Sequence, residues 1–183
     1  MLSIEHAREL LEENLKTETT RLHCREVEVI MRALARKLGE NEDEWALAGI
    51  LHDMDCDIAD IKNQGMKAAE ILEKEDVPEG VLHAIKAHNE ENTGVVRESK
   101  IDFALSAADN ISGLIFATAL VYPDKRLEPV KAKSILKRMK DKRFAASVHR
   151  ENIRDIERVG LSLEEFAELA LNAMKEIANE IGL

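Results

Sequence analysis

Aromatic residues are scarce in this chain, at 3% of its 183 residues, and it holds only three prolines. Its core must therefore be built mainly from Leu, Ile, Val, Ala and Met. Charged residues reach 34%, Glu and Lys are abundant, and no segment shows the apolar–polar alternation of a half-buried strand. This composition favours helix over sheet. We predict an all-α protein whose residues 1–183 form a single domain.

Features of secreted and membrane proteins are also missing. Two cysteines, Cys24 and Cys56, are too few for a disulfide framework. The start of the chain has no basic stretch followed by an apolar core, as a signal peptide would. The most apolar stretch, 101–122, is interrupted by two aspartates, which argues against a membrane span. We expect a reducing, cytoplasmic location.

The net charge of −10 excludes general affinity for nucleic acid or for an anionic membrane surface. Residues 131–150, here called the basic segment, run against this average with eight Lys/Arg and one acid. The segment therefore carries +7 and the rest of the chain −17. It is either a solvated helix face or a rim that attracts an anion.

Helical periodicity and capping residues predict eight or nine helices. As read from the sequence, they run Ser3 to Leu15, Thr19 to Leu38, Asn41 to Met54, Gly65 to Lys74, Pro78 to His88, Lys100 to Val121, Pro129 to Lys140, Phe144 to Val159, and from Ser162 to near the end of the chain.

Three of these helices carry residues with the chemistry of a metal site. His23 lies four residues before Val27, so it shares the apolar, inward stripe of the second helix. His52-Asp53 ends the apolar third helix, and the next acids, Asp55 and Asp57, follow at once. Each feature alone has an ordinary interpretation, a core histidine in one case and loop acids in the other.

Asp109 is the most informative residue, because its helix is apolar on nearly every side and therefore belongs at the centre of the fold. A buried, unpaired carboxylate costs several kcal/mol, about the penalty expected for an isolated ion in a protein interior. Asp109 therefore requires donors from elsewhere in the chain or a cation. Two imidazoles and two carboxylates together suit one first-row divalent ion such as Mn, Fe, Co, Ni or Zn.

The order His23, His52-Asp53, Asp109 resembles the HD-domain superfamily of metal-dependent phosphohydrolases, and looks closest to its small HDIG-type members. The similar segments are LHCREVEVIMRALARKLG, WALAGILHDMDCD, AIKAHN, ALSAADNISGLIFA and the tail KSILKRMKDKRFAASVHRENI. The resemblance implies a helical bundle around a metal held by His23, His52, Asp53 and Asp109. It implies hydrolysis of a phosphomonoester or phosphoanhydride by an activated water, with a nucleotide as the expected substrate.

The chain also departs from the pattern of the related chains at one position. Related chains often have His-Gly before the fourth helix, where this chain has Gln64-Gly65, so one ion is expected and a second is in doubt. His88 remains as a second-metal ligand or as a neighbour of the ligands. Catalytic roles in handling the attacking water fall to Asp53, Asp55 and Asp57. If the basic segment folds over the metal, substrate phosphate contacts would come from Lys137, Arg138, Lys140, Arg143 and His149.

Three other functions stay open at this point. The chain could be a sensor that binds metal and a phosphorylated ligand without turnover, a di-iron oxygenase of the same superfamily, or a helical scaffold without metal. The sequence implies a small phosphorylated metabolite or nucleotide as partner, with neither nucleic acid nor membrane. It leaves a homodimer open.

Overall fold

A computed structural model describes all residues, 1–183, and contains only helices, turns and loops. The all-α prediction is therefore confirmed. The eleven helices are α1 (Ile4–Asn14), α2 (Glu18–Leu38), α3 (Glu42–Leu51), α4 (Met66–Leu72), α5 (Glu79–Ala87), α6 (Glu90–Thr93), α7 (Lys100–Leu120), α8 (Ala132–Met139), α9 (Arg150–Arg154), α10 (Ile156–Val159) and α11 (Leu163–Glu176).

The helix starts follow the caps in the sequence. Ser99 and Ser162 each accept a hydrogen bond from the third residue of their helix, and the acid at that position bonds back to the serine backbone. Asn41 caps α3 in the same way, through its side-chain oxygen. At the other end of α2, Gly39 stops the helix in the left-handed conformation, with φ of 72°.

Helix α7 forms the centre of the bundle and packs against α2, α5, α8, α9, α10 and α11. It is long and apolar enough to cross a membrane by length and composition alone. However, 67% of its most apolar stretch is buried inside the protein. The helix therefore has the burial of a core helix in a soluble domain.

Helices α2 and α3 cross very closely, at Gly49. A Cβ at this position would lie 2.8 Å from the backbone of Glu28 and from Val27 O. Only glycine lets the two backbones approach so far. This crossing sets the distance between His23, near the start of α2, and His52, at the end of α3.

The predicted helix from Phe144 to Val159 is wrong in its first six residues and at Asp155. Residues 144–149 form turns, and a helix begins only at Arg150 and breaks at Asp155 into α9 and α10. The reason is the buried guanidinium of Arg150, which donates to the carbonyl oxygens of Asp141, Phe144, Ala145 and Val148. These bonds stabilise a compact turn in place of a helix. The four-residue helix α6 was not predicted.

Candidate metal centre

Three helices bring the four predicted ligands to one place. His23 lies in the first turns of α2, His52 and Asp53 follow the end of α3, and Asp109 lies midway along α7. His88, just past the end of α5, joins them. Five side chains from separate parts of the chain therefore converge on one point inside the bundle.

The distances between their polar atoms lie at or slightly above those of neighbouring ligands on one ion. His23 Nε2 lies 3.0 Å from Asp109 Oδ1, and His52 Nε2 lies 3.8 Å from the same oxygen. Asp53 Oδ2 lies 3.5 Å from His52 Nε2 and 3.9 Å from His23 Nε2. Two ligand atoms about 2.1 Å from an ion, at angles of roughly 90–110°, are about 3.0–3.4 Å apart. The cluster is close to that geometry.

Hydrogen bonds orient the histidine rings so that each Nε2 faces the cluster. His52 Nδ1–H donates to Gly49 O at 2.8 Å, and His88 Nδ1–H donates to Ile85 O at 2.6 Å. His23 Nδ1 lies 3.2 Å from Ser112 Oγ. Such outer hydrogen bonds fix the tautomer of a metal-binding imidazole and raise its basicity.

His52 provides the test of whether the residues fit a metal. Its side chain is fully buried, and its Nε2 has no hydrogen-bond partner in the protein. An imidazole nitrogen whose partner ring nitrogen carries the proton is an acceptor with a free lone pair. Buried polar atoms are rarely left without a partner. A divalent ion bound at this nitrogen and at both carboxylates would account for it.

The cluster contains two groups of three ligands, His23–His52–Asp109 and His52–Asp53–His88. Both groups use His52. Because His52 Nδ1 is bonded to Gly49 O, only Nε2 is free, and one nitrogen lone pair binds one ion. This shared residue favours a single ion with His88 beside it.

The electrostatics of the cluster favour a positive charge between the two carboxylates. Burial opposes protonation of His23, but hydrogen bonds to Asp109 and Glu26 outweigh it and raise the His23 pKa well above its usual value. Burial also disfavours the Asp109 carboxylate, yet the hydrogen bond from His23 and the proximity of His52 hold its pKa well below the usual range. The pKa of Asp53 is lowered for the same kind of reason, by His52 and His88 against burial.

Asp55 and Asp57 lie close in sequence to Asp53, but their carboxylates are engaged in structural hydrogen bonds. Asp55 is buried, and its Oδ2 accepts from Gly65 N at 2.9 Å and from Ala68 N at 2.8 Å, which holds the start of α4. Asp57 accepts from the backbone of Lys16 and Thr17 and from the Thr17 hydroxyl, just before α2. The catalytic roles of Asp55 and Asp57 remain predictions, and these contacts do not favour them.

The Gln64-Gly65 pair also has structural contacts. Gln64 Nε2 donates to Cys56 Sγ. Gly65 has φ of 84°, and a Cβ there would collide with Ile85 O and touch the His88 ring. The glycine therefore lets the loop pack closely on His88, the histidine nearest to Asp53 Oδ1 at 3.4 Å.

The cluster forms the floor of an open cavity of about 350 Å³. Three ligand residues, His23, Asp53 and Asp109, line it together with His88. His52 lies beneath them. Ligand pockets in proteins typically start at about 300 Å³, so the cavity has room for a small metabolite.

Of the predicted phosphate contacts, only His149 lines this cavity. Its backbone N–H donates to Asn110 Oδ1 at 2.9 Å, which attaches the turn 144–149 to α7 beside Asp109. Lys137, Arg138, Lys140 and Arg143 do not line it. Arg138 packs over the Phe144 ring, and the Arg143 side chain is 96% exposed. The structure does not bring these four cations to the cluster.

Several residues beside the ligands were not predicted from the sequence. Asn110 Nδ2 donates to Asp109 Oδ2 at 3.2 Å, and Glu26 lies buried under His23 with its carboxylate 3.8 Å from Nδ1. Helical spacing could have found Glu26, which is three residues after His23, on the same face. No sequence signal pointed to Glu91, which lines the cavity.

The family comparison agrees with this geometry. The model of the family described as "HD domain" matches residues 20–114, which is more than half of the chain and includes every residue of the cluster. No curated protein and no solved structure matches the chain. The matched region and the convergent histidines and aspartates lead to one conclusion: this chain belongs to the HD-domain superfamily of metal-dependent phosphohydrolases.

Proposed function

We propose that this chain is a metal-dependent phosphohydrolase that cleaves a phosphomonoester or phosphoanhydride of a small metabolite, most simply a nucleotide. The observation that carries the proposal is the buried, unpartnered Nε2 of His52 beside two carboxylates with lowered pKa values. An open cavity above them admits a substrate.

The ion would be held by His23, His52, Asp53 and Asp109. Mixed nitrogen and oxygen donors suit Mn, Fe, Co, Ni or Zn. When bound, such an ion lowers the pKa of a water towards neutrality and polarises a phosphoryl oxygen. The side chains of the protein would supply the remaining requirements of the reaction.

The side chains around the ligands would hold them in position. Asn110 Nδ2 fixes the outer oxygen of Asp109, and His88 Nε2 fixes Oδ1 of Asp53. Partners of this kind typically change metal affinity or activity by about 10–100-fold when they are removed. His149, on the cavity wall, is the group available to contact the phosphate or the leaving oxygen.

The test is a phosphate-release assay across nucleotides and sugar phosphates, with the protein loaded with each of the five metals in turn. We expect release from at least one compound, and its loss in His52→Ala. The matched control is His6→Ala, because His6 is exposed and pairs only with Glu9 and Glu75.

Other outcomes would assign other functions. Tight binding of a nucleotide by the metal-loaded protein without product would support a non-catalytic sensor. Two irons per chain with oxygen-dependent turnover would support an oxygenase, although the single free nitrogen of His52 disfavours a second ion. Full activity in His52→Ala would contradict the proposed site.

A further inference from the structure

The cavity over the cluster is polar, yet it contains no Lys or Arg. Apart from the ligands and His88, its polar wall is mainly amides together with Ser147, His149 and Glu91. Proteins that bind polyphosphates normally surround them with Arg, Lys or additional metal ions. Within this wall, the strong cation available to a bound phosphoryl group would be the ion itself.

Glu91 adds a fixed negative charge to this wall. Its Oε1 lies 3.5 Å from Arg97 Nη2. Burial would raise the Glu91 pKa, but a backbone hydrogen bond and Arg97 outweigh it, so the pKa is lowered and the side chain is ionised at neutral pH.

Arg97 does not cancel the charge of Glu91, because other acids share it. Its Nη1 donates to Asp155 at 2.9 Å, and Glu90 lies 3.6 Å from its Nε. The side chain is only 8% exposed and also donates to the carbonyl oxygens of Ala87 and His88. Arg97 thus fixes Glu91 in place, while three carboxylates surround one guanidinium.

The charges in the cavity then limit the substrate. Asp53, Asp109 and Glu91 supply three negative charges, against two positive charges from one divalent ion. A single phosphoryl group can bind the ion directly. A second or third phosphate on the Glu91 side of the cavity would meet no Lys or Arg in the wall itself, because Lys142 lines only the adjoining pocket.

The neutral part of the wall suits a leaving group that offers hydrogen-bond donors. Gln64 and Asn92 each donate their amide N–H within the protein, to Cys56 Sγ and Asn89 Oδ1. Each amide still offers a ligand its carbonyl oxygen as an acceptor and one N–H as a donor. Hydroxyl groups of a sugar or a nucleoside are matching donors.

Building on the proposed phosphohydrolase function, we propose that the substrate is a phosphomonoester with an uncharged, hydroxyl-bearing leaving group. In this proposal Glu91 is the residue that excludes nucleoside di- and triphosphates.

The experiment compares the mono-, di- and triphosphate of the same nucleoside at fixed free metal concentration, for the wild type, Glu91→Gln and Glu168→Gln. Glu168 is the matched control, an exposed glutamate on α11 far in sequence from the cavity. We expect wild-type kcat/KM to be highest for the monophosphate. Glu91→Gln should narrow the preference for the monophosphate over the triphosphate by roughly three- to tenfold, the effect of one charge in a partly solvated site. Glu168→Gln should leave it unchanged.

A second readout does not depend on turnover. Binding of inorganic phosphate and of tripolyphosphate to the metal-loaded protein is measured by equilibrium dialysis, with the metal content checked afterwards. Glu91→Gln should lower the Kd of tripolyphosphate, relative to the Kd of phosphate, by about threefold or more. Glu168→Gln should leave this ratio unchanged.

The outcomes separate the two proposals. A preference for the triphosphate, or an unchanged preference in Glu91→Gln, overturns the substrate class but leaves a phosphohydrolase. Absence of any phosphate release, with the binding shift of Glu91→Gln intact, overturns the phosphohydrolase but supports the charge selection.

Discussion

The ligand cluster and the basic segment 131–150 differ in what fixes their side chains. In the cluster, buried backbone carbonyls and neighbouring helices hold each ring and carboxylate. In the basic segment, Lys137, Lys140 and Arg143 are exposed, and the buried Arg150 stabilises the turn rather than facing a ligand. Burial fixes the position of a side chain, whereas a run of like charges in the sequence indicates only an exposed surface.

The largest expected effect is in the cluster. Asp109→Ala removes a carboxylate that lies 3.0 Å from His23 Nε2 and should lower activity by more than about a hundredfold, the upper range for removal of a mere neighbour of a ligand. Metal content should fall with it. Asp124→Ala, at an exposed aspartate, is the control. Activity retained in Asp109→Ala would contradict the conclusion that the cluster, unlike the basic segment, contains the active residues.

The pH dependence of stability should reverse when metal binds. In the metal-free protein the raised His23 pKa stabilises the fold fully below the unfolded value of 6.5, and this contribution is lost as pH rises through the raised folded pKa. Metal displaces that proton, so metal binding strengthens as pH rises. The thermal midpoint between pH 6.5 and 9 should fall without metal and rise with it. Parallel curves would argue against proton–metal competition at His23.

The close crossing of α2 and α3 predicts an effect on stability. Gly49→Ala places a Cβ against backbone atoms at 2.8 Å and should destabilise by about 1–3 kcal/mol, the usual cost of overpacking. Gly80→Ala, on α5 with nothing within 4 Å, should instead stabilise by roughly 0.4–1 kcal/mol. Denaturant unfolding measures both, and equal effects would contradict the crossing.

In the turn of the basic segment, a substitution between alanine and glycine should have the opposite effect on stability to that at Gly49. Ala145 has φ of 45°, a conformation that costs an L-residue roughly 1–2 kcal/mol. Ala145→Gly should therefore stabilise the protein or leave it unchanged, and Ala146→Gly is the neighbouring control. A clear loss of stability in Ala145→Gly alone would show that the turn is not under this strain.

The smallest effects are expected from the exposed cations. Lys137→Gln and Arg143→Gln should change kcat/KM by less than about twofold, because exposed charges are screened by solvent and salt. His149→Ala, which alters the cavity wall, should change it more. A large loss in either Gln variant would mean that the segment closes over the substrate.

Much of the fold could be predicted because local rules determine it. The caps Ser3, Asn41 and Ser162 start helices as expected, and the apolar surroundings of Asp109 correctly required a partner, which is His23. The break between α9 and α10 could not be predicted, because it depends on Arg150 reaching carbonyls up to nine residues away. Asp57 followed the ligand pair in sequence, yet its direction depends on Thr17, forty residues earlier.

The central claim is that the cluster binds one divalent ion through His23, His52, Asp53 and Asp109. The most direct measurement is elemental analysis after dialysis of the protein against Mn, Fe, Co, Ni or Zn, beside His52→Ala. We predict about one ion per chain for at least one of these metals, and its loss in the variant. Protein that retains none of the five metals, or a variant that binds as much as the wild type, would contradict the claim.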